Sequence, residues 1–291
     1  MIVTELYKGQ GLGNQLFCYV STRAIALRNG YEFGIMGIEK FKAKEIMDLD
    51  FGLPVIGGVT PEEGKPPTVL PEHIQGYYVE KEEYHSKYKC DIRKLDPKLL
   101  NIKDNTKIDG LMQSEAYFKG YRAEIKEWLK VKGSEICLDF SDDRTCVINF
   151  RGGEFVRIKD AFLRKKYWAD AVSNIKYRYG PKIKFIVITD DVITAAKFFP
   201  DYDVYHFSVG KDYSIINNAR LAILSNSTFA FWPIWTSDVL DFVIAPKYWN
   251  RHNISDGFWS LGDSCYEGWN YQDRDGDLYT YDECIGEIVN W

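Results

Sequence analysis

Two rhythms of apolar residues alternate along the chain. It opens on a short apolar run, Met1-Ile2-Val3-Thr4-Glu5-Leu6, which reads as a strand. A polar, glycine-bearing stretch over 8–15 follows. Leu16, Phe17, Val20, Ala24 and Leu27 then recur at helical spacing until Gly30 stops the run. Strand, glycine loop and helix aim free amides and a helix N-terminus at a phosphate or a sugar. From about 50 to 100 the pattern dissolves into a connector punctuated by Gly57-Gly58, Pro61, Pro66-Pro67 and Pro71. Order returns over 109–118, read as a strand entering a helix that continues through Ile125, Trp128 and Leu129. Lys132-Gly133-Ser134 comes next and divides the chain into domains 1–133 and 134–291.

The second half alternates more plainly. Residues 146–150 read as a strand, and 163–179 as an amphipathic helix closed by Gly180-Pro181. The almost unbroken apolar run 183–189 fits a parallel strand covered on both faces. Asp190-Asp191 ends it and opens a helix that reaches Phe199. A strand over 204–207, a helix over 213–224 and a strand over 242–245 complete the pattern, with the very apolar 229–235 between the last two. Such alternation predicts a doubly wound α/β domain, whose ligands sit at the carboxyl ends of the strands. Arg151, Asp190 and the run 225–228 fall at such ends.

Composition adds exclusions. At 291 residues the chain can bury two medium cores or one large one. Lys and Arg total 37 against 42 Asp and Glu, for a net charge of -5, and no basic run occurs. That balance argues against a nucleic-acid partner. No apolar run reaches the roughly 18 residues a membrane span needs. The first strand leaves no room for a signal peptide, so a cytoplasmic protein is expected. Cys18, Cys90, Cys137, Cys146, Cys265 and Cys284 form no C-x-x-C pair, which suggests neither a disulfide framework nor a zinc site. His73, His85, His206 and His252 are too dispersed to ligate a metal together.

The candidate chemistry lies in a few loops. Arg151 follows a buried strand and stands beside Gly152-Gly153, where bare amides and a forked cation suit a doubly charged phosphate. Ser225-Asn226-Ser227-Thr228 places three hydroxyls and an amide ahead of an apolar helix. Capping needs only one of them, and the set suits an anion. Asn14 occupies the third-glycine position of a dinucleotide fingerprint and offers a donor and an acceptor there. Asp190-Asp191 is adjacent rather than Asp-x-Asp. On extended chain the two side chains point apart, so capping the next helix is the expected role. Asp273-Arg274-Asp275-Gly276-Asp277 lacks the ligand order of a calcium loop and reads as a polar turn.

Taken together, these segments resemble the α-1,2-fucosyltransferase family of inverting, metal-independent glycosyltransferases. The family's Gly-Leu-Gly-Asn-Gln loop stands here as Gly11, Leu12, Gly13, Asn14 and Gln15. Its Phe-Gln-Ser-x-x-Tyr-Phe segment is matched by Met112-Gln113-Ser114-Glu115-Ala116-Tyr117-Phe118. Its Ser-Asn-Ser-Thr-Phe-x-Trp-Trp motif is matched by Ser225, Asn226, Ser227, Thr228 and Phe229, followed by Ala230-Phe231-Trp232. A late Ala-Pro-Lys-x-Trp falls at Ala245 to Trp249. The central His-x-Arg-Arg-Gly-Asp-Tyr departs and reads Asn149-Phe150-Arg151-Gly152-Gly153-Glu154-Phe155.

The resemblance implies two Rossmann-like domains facing a cleft (GT-B type), with a nucleotide-sugar donor on the second and a glycan acceptor mainly on the first. It implies transfer of a 6-deoxyhexose, L-fucose from GDP-fucose, onto a sugar hydroxyl (the 2-OH), without metal or other cofactor. Arg151 is then the β-phosphate ligand, Asn149 a base contact and Asp212 a base-recognising carboxylate whose ordinary alternative is an exposed helix cap. The donor set comprises Gly11, Leu12, Gly13, Asn14, Asn149, Arg151, Asp212, Ser225, Asn226, Ser227, Thr228 and Phe229. Glu154 is the nearest carboxylate for a general base, with Glu115 and Asp160 as alternatives. Asn149 and Gly152 leave room for another nucleotide donor, and a degenerate, non-catalytic sugar-binding module is the rival reading.

Overall fold

Strand β1 (Ile2–Glu5) is buried along its whole length and seeds a four-stranded sheet in the computed structural model. The structure describes residues 1–55, 70–85, 90–92, 94–254, 257 and 265–289. It falls into two units, Met1–Lys130 and Val131–Trp291. Gly57-Gly58, Pro61 and Pro66-Pro67 of the connector lie outside the described residues.

In the first unit β1 leads through a turn into α1 (Leu12–Asn29), then β2 (Phe33–Met36) and β3 (Gly76–Val79). An antiparallel pair, β4 (Glu83–His85) and β5 (Cys90–Ile92), precedes the single turn α2 (Pro97–Leu100), β6 (Thr106–Asp109) and α3 (Arg122–Trp128). The sheet runs β2-β1-β6-β3, with every pairing parallel. Helix α1 buries Leu16, Phe17, Val20, Ala24 and Ile25, while Leu27 is half exposed. It stops at Gly30, whose φ of 68° is left-handed and lets its amide reach the carbonyls of Ala26 and Leu27.

Three expectations change here. The helix begins at Leu12, so Gly13, Asn14 and Gln15 are its first turn rather than loop. The strand expected from 109 ends there. Residues 110–114 instead form a loop in which buried Met112 takes φ 47° and gives its amide to Glu80 Oε2 at 2.8 Å, and two 3₁₀ turns precede α3. Finally, β2 and β3 contribute two of the four strands from stretches with no alternation long enough to read.

The second unit runs β7 (Thr145–Phe150), α4 (Lys165–Tyr179), β8 (Lys184–Thr189), α5 (Val192–Phe198), β9 (Asp203–Tyr205) and α6 (Val209–Asn217). It continues with β10 (Leu221–Leu224), α7 (Thr228–Trp235), β11 (Phe242–Pro246), β12 (Asn270–Gln272), β13 (Leu278–Thr280) and α8 (Tyr281–Val289). The strand order is β13-β12-β11-β10-β7-β8-β9, parallel throughout except for the terminal β13. Apart from β13, this is the doubly wound 3-2-1-4-5-6 order. Residues 213–224 are therefore not one helix: α6 ends at Asn217 and β10 is a central, fully buried strand. Ile148, Phe150, Tyr167, Trp168, Ile175, Val187 and Ile223 pack into one apolar cluster beneath α4 and α5. Asp273 Oδ1 accepts from the amides of Asp275, Gly276 and Asp277, which makes 273–277 the polar turn between β12 and β13.

Candidate functional site

Strands β7 and β10 lie side by side, yet the chain leaves β7 toward β8 and β9 and leaves β10 toward β11 and β12. Connections that diverge in this way open a crevice at the carboxyl ends, where α/β sheets hold ligands. The register pairs Asn149 with Leu224, so the segments beginning at Arg151 and at Ser225 leave the sheet as neighbours.

The Arg151 loop is not empty. The Arg151 guanidinium donates through Nη1 to Asp190 Oδ2 and through Nη2 to Glu154 Oε1 at 3.1 Å, and it lies 5.2 Å from the centroid of the Phe155 ring. The glycine amides read as bare are taken: Gly152 N donates to Asp190 Oδ1 at 2.8 Å and Gly153 N to Asp191 Oδ2 at 3.1 Å. Both aspartates thus reach one loop, contrary to the expectation that they point apart, because the chain turns out of extended geometry after Thr189. Asp191 also caps α5 through the Thr194 amide, and these bonds hold its carboxyl below the usual range. A Cβ on Gly152 would come within 2.5 Å of the Asp191 Cβ. A side chain at position 152 would crowd Asp191, so glycine fits here. Gly153 takes φ 50°, a conformation that suits glycine.

The serine-rich segment divides into inward and outward halves. Ser225 Oγ donates to Asn149 Oδ1 at 2.9 Å, and both residues are buried. Asn226 spends its amide on the carbonyls of Ala161 and Trp249, 2.7 Å each. Ser227 caps α7 by accepting from Phe229 N, and half-buried Thr228 follows as the first helical residue. Phe229 sets its ring edge-on to Tyr213. Ser227 and Thr228 are the polar side chains of this segment presented at the α7 N-terminus. Ser225, Asn226 and Asn149 tie the crevice floor together.

Asp212 is likewise turned inward. It is buried in the first turn of α6 and accepts from His206 Nδ1 at 2.7 Å and from the Phe207 amide at 3.0 Å. Burial raises its carboxyl pKa against the pull of those two partners. It is not the exposed cap expected as its ordinary role, since Ser208 caps this helix. Lys247 of the late Ala-Pro-Lys motif is buried, paired with Glu287 at 2.7 Å and seated over the Tyr279 ring, so it anchors α8.

In the first unit Gly11 is the N-cap of α1 and makes no side-chain cap bond, and no acidic residue stands in the first turn. A Cβ on Gly11 would meet nothing within 4 Å. Asn14 Oδ1 accepts from Gln113 Nε2 at 3.0 Å, joining two of the motifs, while Gln15 is buried and braces residues 40–42. Of the alternative bases, Glu115 lies in the 3₁₀ turn capped by Ser114, and Asp160 is paired with Arg251 at 3.5 Å. Buried Glu5, Tyr7, Lys107 and Asp109, with partly buried Tyr77, form a cluster across β1, β3 and β6. No local pattern announces it. Among the described residues, no group of three His, Cys, Asp or Glu side chains is arranged to hold a metal, and no helix is long and apolar enough to cross a membrane.

His252, just beyond β11, is 2% exposed and lies edge-on to the Tyr167 ring at 5.2 Å. Burial pushes its pKa down from 6.5 to about 3. As pH falls, the unfolded chain takes up this proton first. The stabilising contribution is therefore complete above pH 6.5 and is lost progressively toward pH 3. That interval corresponds to at most about 5 kcal/mol. Thermal melts between pH 7.5 and 4 are expected to steepen through this window and to flatten in His252→Gln. An unchanged slope in the variant would place the acid sensitivity elsewhere.

No family model matches the chain. It is 24% identical over 188 residues to the alpha-1,2-colitosyltransferase of Escherichia coli, an alignment covering 58% of this chain and 63% of that protein. The chain is similar to that transferase over less than two thirds of that protein's length. Among solved structures, NodZ alpha-1,6-fucosyltransferase, a Bradyrhizobium protein, soaked with GDP-fucose superposes with a TM-score of 0.46 at 14% identity, over 84% of this chain and 94% of that one. A mutant of Arabidopsis thaliana FUT1 in complex with GDP gives 0.47 at 10% identity, over 84% and 69%. Scores of this size leave the fold assignment to the sheet topology itself.

Proposed function

We propose that this chain, similar to a colitosyltransferase, is an inverting glycosyltransferase that moves a 6-deoxyhexose, L-fucose from GDP-fucose, onto a hydroxyl of a glycan. The observation that supports it most is that Arg151 and the Ser227–Thr228 helix start lie on the two neighbouring segments that diverge at the switch point of a 3-2-1-4-5-6 sheet. Arg151 carries the fork that grips a β-phosphate, and the α7 N-terminus supplies amide dipoles and two hydroxyls to the charge that develops as the glycosidic bond breaks. In the first unit, the start of α1 over Gly11, Leu12, Gly13 and Asn14 is assigned to a phosphate or sugar oxygen. Glu154, 74% exposed, is the carboxylate assigned to take the acceptor proton.

Thermal shift against GDP, UDP, ADP and dTDP tests the donor. A ligand at a hundred times its Kd adds about 2.7 kcal/mol to the unit it binds. GDP is therefore expected to raise the melting temperature by several degrees and the others by less. A preference for another nucleotide would favour the second reading, a different donor on the same fold. That reading draws on Asn149 being committed to Ser225 and on Gly152 standing where a second arginine is absent. A sugar-binding module without catalysis predicts glycan binding with neither donor hydrolysis nor transfer.

A further inference from the structure

Arg151 is held by two carboxylates of different standing. Asp190 is about one third exposed, receives Nη1 of Arg151 and is itself fixed by the Gly152 amide at 2.8 Å. Gly153 closes over it, since a Cβ there would lie 2.9 Å from Asp190 Oδ2. Glu154 is 74% exposed, reaches Nη2 at 3.1 Å from the neighbouring 3₁₀ turn, and has no other hydrogen-bond partner among the described residues. One carboxylate is bolted to the loop. The other hangs on the Arg alone.

The geometry points to a division of labour: Asp190 is the positioning residue that holds the Arg151 fork in place, and Glu154 is a stand-in anion that an incoming diphosphate displaces. This rests on the proposed role of Arg151 in binding the donor pyrophosphate. An exposed ion pair separates at little cost, because water and salt screen it, so a doubly charged phosphate takes the place of Glu154 readily. Displacing Asp190 as well would strand the Gly152 amide and free Arg151 to swing, so Asp190 stays. The released Glu154, exposed on its 3₁₀ turn, is then free of the Arg; to serve as the base of an inverting transfer it must turn from the phosphate to the opposite face of the sugar, where the acceptor hydroxyl attacks.

Isothermal calorimetry with GDP on the intact chain separates the parts. Glu154→Gln is expected to tighten GDP binding by roughly two- to fivefold, since no ion pair has to be broken. Asp190→Ala is expected to weaken it by about tenfold, with Asp190→Asn intermediate because it still accepts from Gly152. Neither effect of Asp190 is expected to persist when Arg151 is already Ala, which is the mark of a residue acting through another. Loss of GDP binding on Asp190→Ala that is equal with and without Arg151, or no loss at all, overturns the positioning role. Weaker binding in Glu154→Gln overturns the exchange. If Arg151→Ala itself leaves GDP affinity unchanged, the pyrophosphate reading has failed, a result distinct from either of these. Should Asp190→Ala not fold, the Asp190→Asn pair in the two backgrounds carries the same comparison.

Discussion

Replacing Arg151 by Lys is expected to slow transfer at saturating donor by roughly 10²–10³-fold, the scale on which a single preorganised oxyanion donor contributes. Arg151 uses one nitrogen on Asp190 and keeps others for a ligand. A lysine ammonium is a point charge on a flexible stem and would collapse onto the nearest carboxylate, which is Asp190. Its hydrogens radiate from a single nitrogen, so it could not hold Asp190 and also offer the phosphate the planar, spread donor set of a guanidinium. Charge on the leaving phosphate grows in the transition state, so the loss should fall on kcat as well as on donor affinity. Steady-state rates with saturating donor, on protein shown to melt at the parental temperature, provide the check. Near-normal turnover of Arg151→Lys would show that Arg151 does not meet the departing phosphate.

Much of the second unit's sheet was legible because its strands announce themselves. The run Ile186-Val187-Ile188 has no polar interruption, as buried parallel strands require, and Arg151 and Ser225 fall at strand ends. Strand β10 was hidden for the opposite reason. Between Asn217-Asn218 and Leu224 stand Ala219, Arg220, Leu221 and Ala222, good helix formers with no glycine or proline to mark the change of period. The sheet pairing on both sides of β10 overrides that propensity. In the same way, residue types at the site could be read while their directions could not. Asn149, Ser225, Asn226 and Asp212 are the polar residues a nucleotide pocket uses, and each turns its side chain to a partner within the protein. A helix start and a strand end carry no local mark of which hydroxyl faces in.

Least legible of all was the charge buried in the first unit, and its removal should be the most damaging change to stability. Lys107 is 0% exposed. Its Nζ lies 3.1 Å from Glu5 Oε2, 3.8 Å from Asp109 Oδ1 and 3.1 Å from the Tyr7 hydroxyl, with the Tyr7 and Tyr77 rings 5.6 and 5.7 Å away. Tyr7 and Tyr77 each donate to Asp109 at 2.6 Å, and burial, reinforced by that carboxylate, pushes both phenols up. The group closes across about a hundred positions of sequence, so no window of the chain could show it. Without the lysine, Glu5 and Asp109 would remain buried with the partly exposed Lys40, 3.6 Å from Glu5, as the nearby cation. Breaking such a pair from one side costs roughly 3–5 kcal/mol, a large share of the 5–15 kcal/mol by which domains are stable. Lys107→Met should therefore lower the stability of this unit by that amount in urea titration. Lys107→Met combined with Glu5→Leu should recover part of the loss, because the stranded charge goes with its partner. A single variant within 1 kcal/mol of the parent would show that water reaches these carboxylates in solution, and the double variant would then be the less stable of the two.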